Sequence, residues 1–211
     1  MRPAPPLATA CAALGVLLFS PTHAAAEWQV KPYLGATYGG DSTFLFVGPL
    51  TEPLPHPNHP HFAYGVSGLL LGEIFGVEVD FSHTPGFFTA QPSNSPTVVE
   101  VVDSGVYTLT GNLVVAMPRH LTQYTLRPYL VGGAGLMHVA FDTTGNALQV
   151  SERFQAMDLG AGVTGFITRR IGVSWDVRYF RSIGPTIQSG ASIGPERLSF
   201  WRANMAVAIR I

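Results

Sequence analysis

Between Trp28 and Tyr38 the chain alternates residue by residue. Trp28, Val30, Pro32, Leu34, Ala36 and Tyr38 are apolar or aromatic, while Gln29, Lys31, Tyr33, Gly35 and Thr37 are polar or small. Successive side chains on a β-strand point to opposite faces, so this segment reads as a strand with one greasy face and one mixed face. The same period returns at the end of the sequence. There Trp201, Ala203, Met205, Val207, Ile209 and Ile211 share one face, and Arg202, Asn204, Ala206, Ala208 and Arg210 the other. Six further alternating segments lie between them, at 62–71, 76–84, 104–116, 126–138, 156–167 and 171–181. The connections alternate too. Residues 39–61, 85–103, 139–155 and 182–198 are long and rich in Pro, Gly, Ser and Asn, whereas 72–75, 117–125 and 168–170 are shorter.

Composition decides which face is inside. Only 12% of residues are charged, against about 25% in an ordinary soluble domain. Hydrophobic residues reach 46%, which excludes a disordered chain, and a net charge of −1 with no basic cluster argues against a nucleic-acid binder. Beyond the N-terminal apolar stretch no run approaches the length of a spanning helix, so a closed barrel is the remaining way to satisfy every backbone hydrogen bond in lipid. A charge facing the middle of a bilayer costs about 2–4 kcal/mol. Lys31, Glu78, Asp80, Arg127, Asp158, Asp176, Arg178, Arg202 and Arg210 all fall on the mixed face. That face must therefore line the lumen. The prediction is an all-β protein: an eight-stranded antiparallel up-and-down transmembrane β-barrel, with short periplasmic turns and long connections outside.

An eight-stranded lumen is just wide enough for side chains to fill. These acids and bases are expected to pair there in a plugged interior, with Gly35, Gly65, Gly133, Gly135, Gly160 and Gly162 making room. The functional alternative is a narrow ion path with charged walls. Trp28, Tyr38, Tyr64, Tyr107, Trp175, Tyr179 and Trp201 are expected in interfacial girdles. Pro32 and Pro128 are expected near the periplasmic starts of their strands, where a missing N–H is tolerated.

The two halves echo each other at an offset of about 92–97 residues. Lys31-Pro32-Tyr33-Leu34 matches Arg127-Pro128-Tyr129-Leu130, and Gly65-Val66-Ser67-Gly68 matches Gly162-Val163-Thr164-Gly165. Gly76 to Asp80 matches Gly172 to Asp176, and Asn112 matches Asn204. The in/out phase is the same in each pair, which implies two four-stranded halves.

Residues 1–26 read as a secretory signal peptide. Arg2 supplies the charge, Leu7 to Phe19 the apolar centre, and Thr22-His23-Ala24-Ala25-Ala26 the small residues before cleavage. Cys11 lies inside the apolar centre, which argues against a lipoprotein. The barrel domain is then 27–211.

These features together resemble the small outer-membrane β-barrel family, which includes the transmembrane domain of outer-membrane protein A, outer-membrane protein X, and opacity-type and Ail-type surface proteins. The resemblance implies the cell outer membrane as location. It also implies outer-membrane lipid and lipopolysaccharide as surroundings, the barrel-assembly machinery as partner during biogenesis, and an extracellular ligand for the loops. Two departures stand out. The family usually ends in an aromatic residue where this sequence has Ile211, and no peptidoglycan-binding segment is expected after the last strand.

Candidate chemistry is sparse, and no cofactor or catalytic residue is assigned. Pro55-His56-Pro57-Asn58-His59-Pro60-His61 places three imidazoles within six residues, a pattern that suits a transition metal; the plainer reading is a solvated Pro-rich loop. His83 and His138 fall on the outward face near the outer ends of strands three and five. A barrel deacylase acting on lipid A would need such a histidine beside a serine and an acid, and no serine lies in phase on an adjacent strand. Phe87 and Phe88 follow a strand exit, placed to touch lipid, a partner or the barrel mouth. The sequence therefore reads as a non-enzymatic structural or surface-interaction barrel. The alternatives are a narrow porin-like channel, then a lipid A-modifying enzyme.

Overall fold

Eight strands pair each with the next, and the last pairs with the first. The computed structural model describes residues 26–39, 60–87, 101–122, 126–143, 149–187 and 198–211, with the backbone alone described at 101–103, 141–143, 149–152 and 184–187. The strands are β1 (Glu27–Tyr38), β2 (His61–Leu71), β3 (Phe75–Pro85), β4 (Val101–Ala116), β5 (Arg127–Thr143), β6 (Gln149–Phe166), β7 (Ile171–Ile187) and β8 (Ser199–Arg210). All pairings are antiparallel and the sheet is a closed barrel. A short 3-10 helix, Arg119–Leu121, lies in the connection between β4 and β5.

At the short-turn end the strands begin and stop where the alternation does. At the opposite end four of them run on. β4 reaches back to Val101, β5 continues to Thr143, β6 starts at Gln149 and β7 continues to Ile187. The reading of 139–155 as a long connection is thus overturned, and 85–103 and 182–198 are shortened. The physical reason is inside the barrel. Met137, Val139, Phe154 and Ala156 are buried side by side, so the β5–β6 ladder stays in register beyond the apolar outer band. Pro32 faces outward. The β1–β8 ladder, otherwise in constant register, is interrupted at Lys31 and Pro32, as the missing proline donor requires. Pro128 lies one residue into β5, where its carbonyl accepts from the Met117 amide at 2.9 Å.

The outward face is apolar between two limits. Leu34, Val66, Val79, Leu113, Leu130, Leu159, Val177 and Val207 are all well exposed. Such exposure is expected of residues that face hydrocarbon. At the loop end the apolar run gives way to Tyr38, Tyr64, Tyr107, Tyr179 and Trp201, and Trp28 marks the opposite rim. Trp175 departs from the expected girdle: it sits between the outward Val173 and Val177, within the apolar band.

Candidate functional site

The lumen is packed in layers. Under the loop end, Phe87, Val106, Met137, Val139, Phe154, Phe180, Leu198 and Phe200 form a buried apolar cluster. Phe180 and Phe200 stack with centroids 5.1 Å apart, and Phe87 meets Phe200 edge-on at 5.3 Å. Phe87 thus covers the barrel mouth, and His61 lies against it at 5.8 Å. His56, His59 and Phe88 lie outside the described residues. Toward the short-turn end a second cluster joins Leu69, Leu71, Val114, Ala116, Tyr129 and Val131.

The charged belt lies between these clusters. Arg202 is 0% exposed; its Nη2 donates to Asp80 Oδ2 at 2.7 Å and its Nη1 to Ser82 Oγ at 2.5 Å. Its guanidinium lies 4.5 Å from the Phe180 ring centroid and 5.1 Å from that of Tyr33. Arg178 Nη1 donates to Glu78 at 2.7 Å, and its Nε donates to Asp176 Oδ1 at 3.1 Å. Asp158 stands 3.8 Å from Arg178. The Asn112 amide is satisfied with its nitrogen donating to Asp158 Oδ1 at 2.8 Å and its oxygen accepting from Arg178 at 3.1 Å. Lys31 Nζ is 3.8 Å from Glu78 and 4.8 Å above the Tyr129 ring, with no hydrogen bond of its own among the described residues. Four carboxylates therefore face three cations. Neutral donors stand in for the missing charge, among them Asn204 to Asp176 at 3.0 Å.

The sequence repeat has a concrete meaning here. Tyr33 lies opposite Gly65 and its hydroxyl donates to Asp80 at 3.1 Å; Tyr129 lies opposite Gly162 and its hydroxyl donates to Asp176 at 3.1 Å. A Cβ at Gly65 would come within 2.5 Å of the Tyr33 hydroxyl, and one at Gly162 within 2.5 Å of the Tyr129 ring. Each glycine is the floor on which a tyrosine lies. The halves then diverge. Both lumenal arginines belong to the second half, and each reaches a carboxylate of the first: Arg178 to Glu78, Arg202 to Asp80.

Two residues assigned to the network lie apart from it. Arg127 has the inward phase but sits at the short-turn rim. It donates to the carbonyls of Met117, Gly72 and Glu73 at 2.9, 3.2 and 2.7 Å, because at that level the lumen has ended and turn carbonyls are the nearest acceptors. Arg210 also reaches the rim, where it pairs with Glu27, donates to the Arg169 carbonyl and covers the Phe166 ring. Glu27 is the residue that sequence reasoning missed. It is buried and binds Arg119 and Arg210 together, with Gln29 donating to it at 2.9 Å. Its phase with Gln29 and Lys31 was the available signal. Among the described residues no group of His, Cys, Asp and Glu could hold a metal ion.

The family model for the outer membrane protein beta-barrel domain matches residues 11–194. Among solved structures, Neisserial surface protein A is similar over 88% of this chain and 97% of its own, at 14% identity and a TM-score of 0.57. Outer membrane protein OprG from Pseudomonas aeruginosa is similar over 90% and 97%, at 13% identity and a TM-score of 0.53. Outer Membrane Protein W of E. coli is similar over 90% and 100%, at 18% identity and a TM-score of 0.50. No curated protein matches the chain at a significant level.

Proposed function

The chain belongs to the outer membrane protein β-barrel domain family and resides in the outer membrane; from that premise we propose that it is a closed, non-conducting, non-enzymatic barrel that acts through its outer surface. The supporting observation is the layer of Phe154, Phe180 and Phe200, each at most 2% exposed, lying over the Arg202–Asp80 pair. An ion crossing this lumen would have to displace stacked rings and break a buried charge pair. Aromatic packing and ion pairing at such density are costly to open. With the lumen filled, recognition falls to the connections around 40–59, 88–100 and 188–197. The loop end then presents a surface-interaction, adhesin-like platform to an extracellular ligand.

The test is ion conductance of the folded protein in a planar bilayer. A heat-dependent gel shift verifies folding beforehand. The expected record is flat at physiological salt. Reproducible single-channel steps from demonstrably folded protein would overturn the reading and install a narrow channel in its place.

A further inference from the structure

One row on the outward face is not explained by contact with hydrocarbon. Tyr64, His83, Tyr107, His138 and Arg153 lie directly opposite one another across β2, β3, β4, β5 and β6, all pointing away from the lumen. His83 is held between two tyrosines: its Nδ1 is 2.9 Å from the Tyr64 hydroxyl, and its ring stacks on Tyr107 at 4.1 Å and 9°. Tyr107 lies 6.1 Å from His138.

Beyond Tyr107 the row changes character. His138 and Arg153 face each other, and neither has a hydrogen bond or ion pair among the described residues; the His138 Nδ1 is buried without a partner. Residues directly opposed on antiparallel strands hold their Cβ atoms about 4.5–5.5 Å apart, so both side chains serve one spot. Among the described side chains, the outward face of β2 to β6 carries no carboxylate. One step toward the membrane centre the same face carries Leu109 and Leu136, both about half exposed, with the outward Gln155 opposite Leu136. The pair therefore sits where hydrocarbon ends, at the loop end of the barrel. That is the headgroup level of the outer leaflet.

We propose that His138 and Arg153 form a binding site for a phosphate of lipid A, with Tyr107 and His83 as its aromatic flank and Leu109 and Leu136 beneath its acyl chains. The Arg153 guanidinium complements an anion and presents a fork that matches phosphate oxygens, and an imidazole N–H adds a neutral donor beside it. The amphiphile supplies both halves of the match: phosphate at the level of Arg153 and His138, hydrocarbon at the level of the leucines. The inference rests on the outer-membrane location and is independent of whether the lumen conducts.

The test is native mass spectrometry of the protein, extracted from outer membranes in mild detergent and delipidated. The probes are bisphosphorylated lipid A, the same lipid A with its phosphates removed, and phosphatidylglycerol. Bisphosphorylated lipid A should be retained about tenfold more strongly than either other lipid, a difference of about 1.4 kcal/mol. The double variant H138Q/R153Q should lose that preference while keeping the heat-dependent gel shift. Equal retention of lipid A with and without phosphates would overturn the site. So would equal retention of phosphatidylglycerol, which would mean a generic anionic surface, or an undiminished preference in the folded double variant. Should the double variant not fold, the comparison of lipids on the unaltered protein decides alone.

Discussion

Arg202 is a long cation with no water around it. Burying an unpaired guanidinium would cost several kcal/mol, and Asp80, Ser82 and two aromatic rings replace the lost hydration. Arg202→Met removes the ion-pair partner and leaves the buried Asp80 carboxylate with the Tyr33 hydroxyl as its donor and no cation against it. The expected loss is about 3–5 kcal/mol, read as a lower denaturant midpoint in detergent micelles. The double variant R202L/D80L should recover most of that loss, since no buried charge is left alone; a midpoint no higher than that of Arg202→Met would show that the stranded Asp80 charge is not what destabilises the single variant. At this scale alternation locates phase but not depth. Arg127 and Arg178 both have the inward phase, yet one binds turn carbonyls and the other lies mid-lumen. Pairing is equally hidden, because Arg178 and Glu78 lie a hundred residues apart and only closure of the sheet brings them together.

At the scale of the strand, the outward face of β8 shows how tightly register is fixed. Val207 is half exposed and lies opposite Val173 of β7. A one-residue slip would turn Arg202 and Asn204 outward and Met205 and Val207 inward. Val207→Arg puts a guanidinium into the hydrocarbon band and should cost about 2–4 kcal/mol. The measurement is the fraction of heat-shifted folded protein after refolding into vesicles, with Val207→Leu as the neutral control; an equal folded fraction for both would refute this register. The strands as elements were legible because period two is local. Their outer limits were not. At Met137, Val139 and Phe154 the inward face is apolar, so the greasy-out, polar-in contrast that marks the band fades, although the ladder continues.

At the scale of the whole molecule, closure into eight strands could be counted from the segments and their connections. The order of layers inside could not. Phe154, Phe180 and Phe200 come from three strands, and nothing local says that they meet. The repeat was visible as sequence, but not its consequence: matching Tyr–Gly–Asp constellations in the two halves, joined by arginines that only the second half supplies. The capping clusters at the two ends of the belt carry a last implication, for ionic strength. Mobile counterions weaken a charge pair only where they can approach it. Arg202 and Asp80 lie behind Phe180 and Phe200 on one side and the Tyr129 layer on the other, so added salt reaches neither. The half-exposed Arg119 and Arg210 at the short-turn rim have no such cover. Salt therefore loosens the collar of this barrel and leaves its girdle of lumenal pairs at full strength.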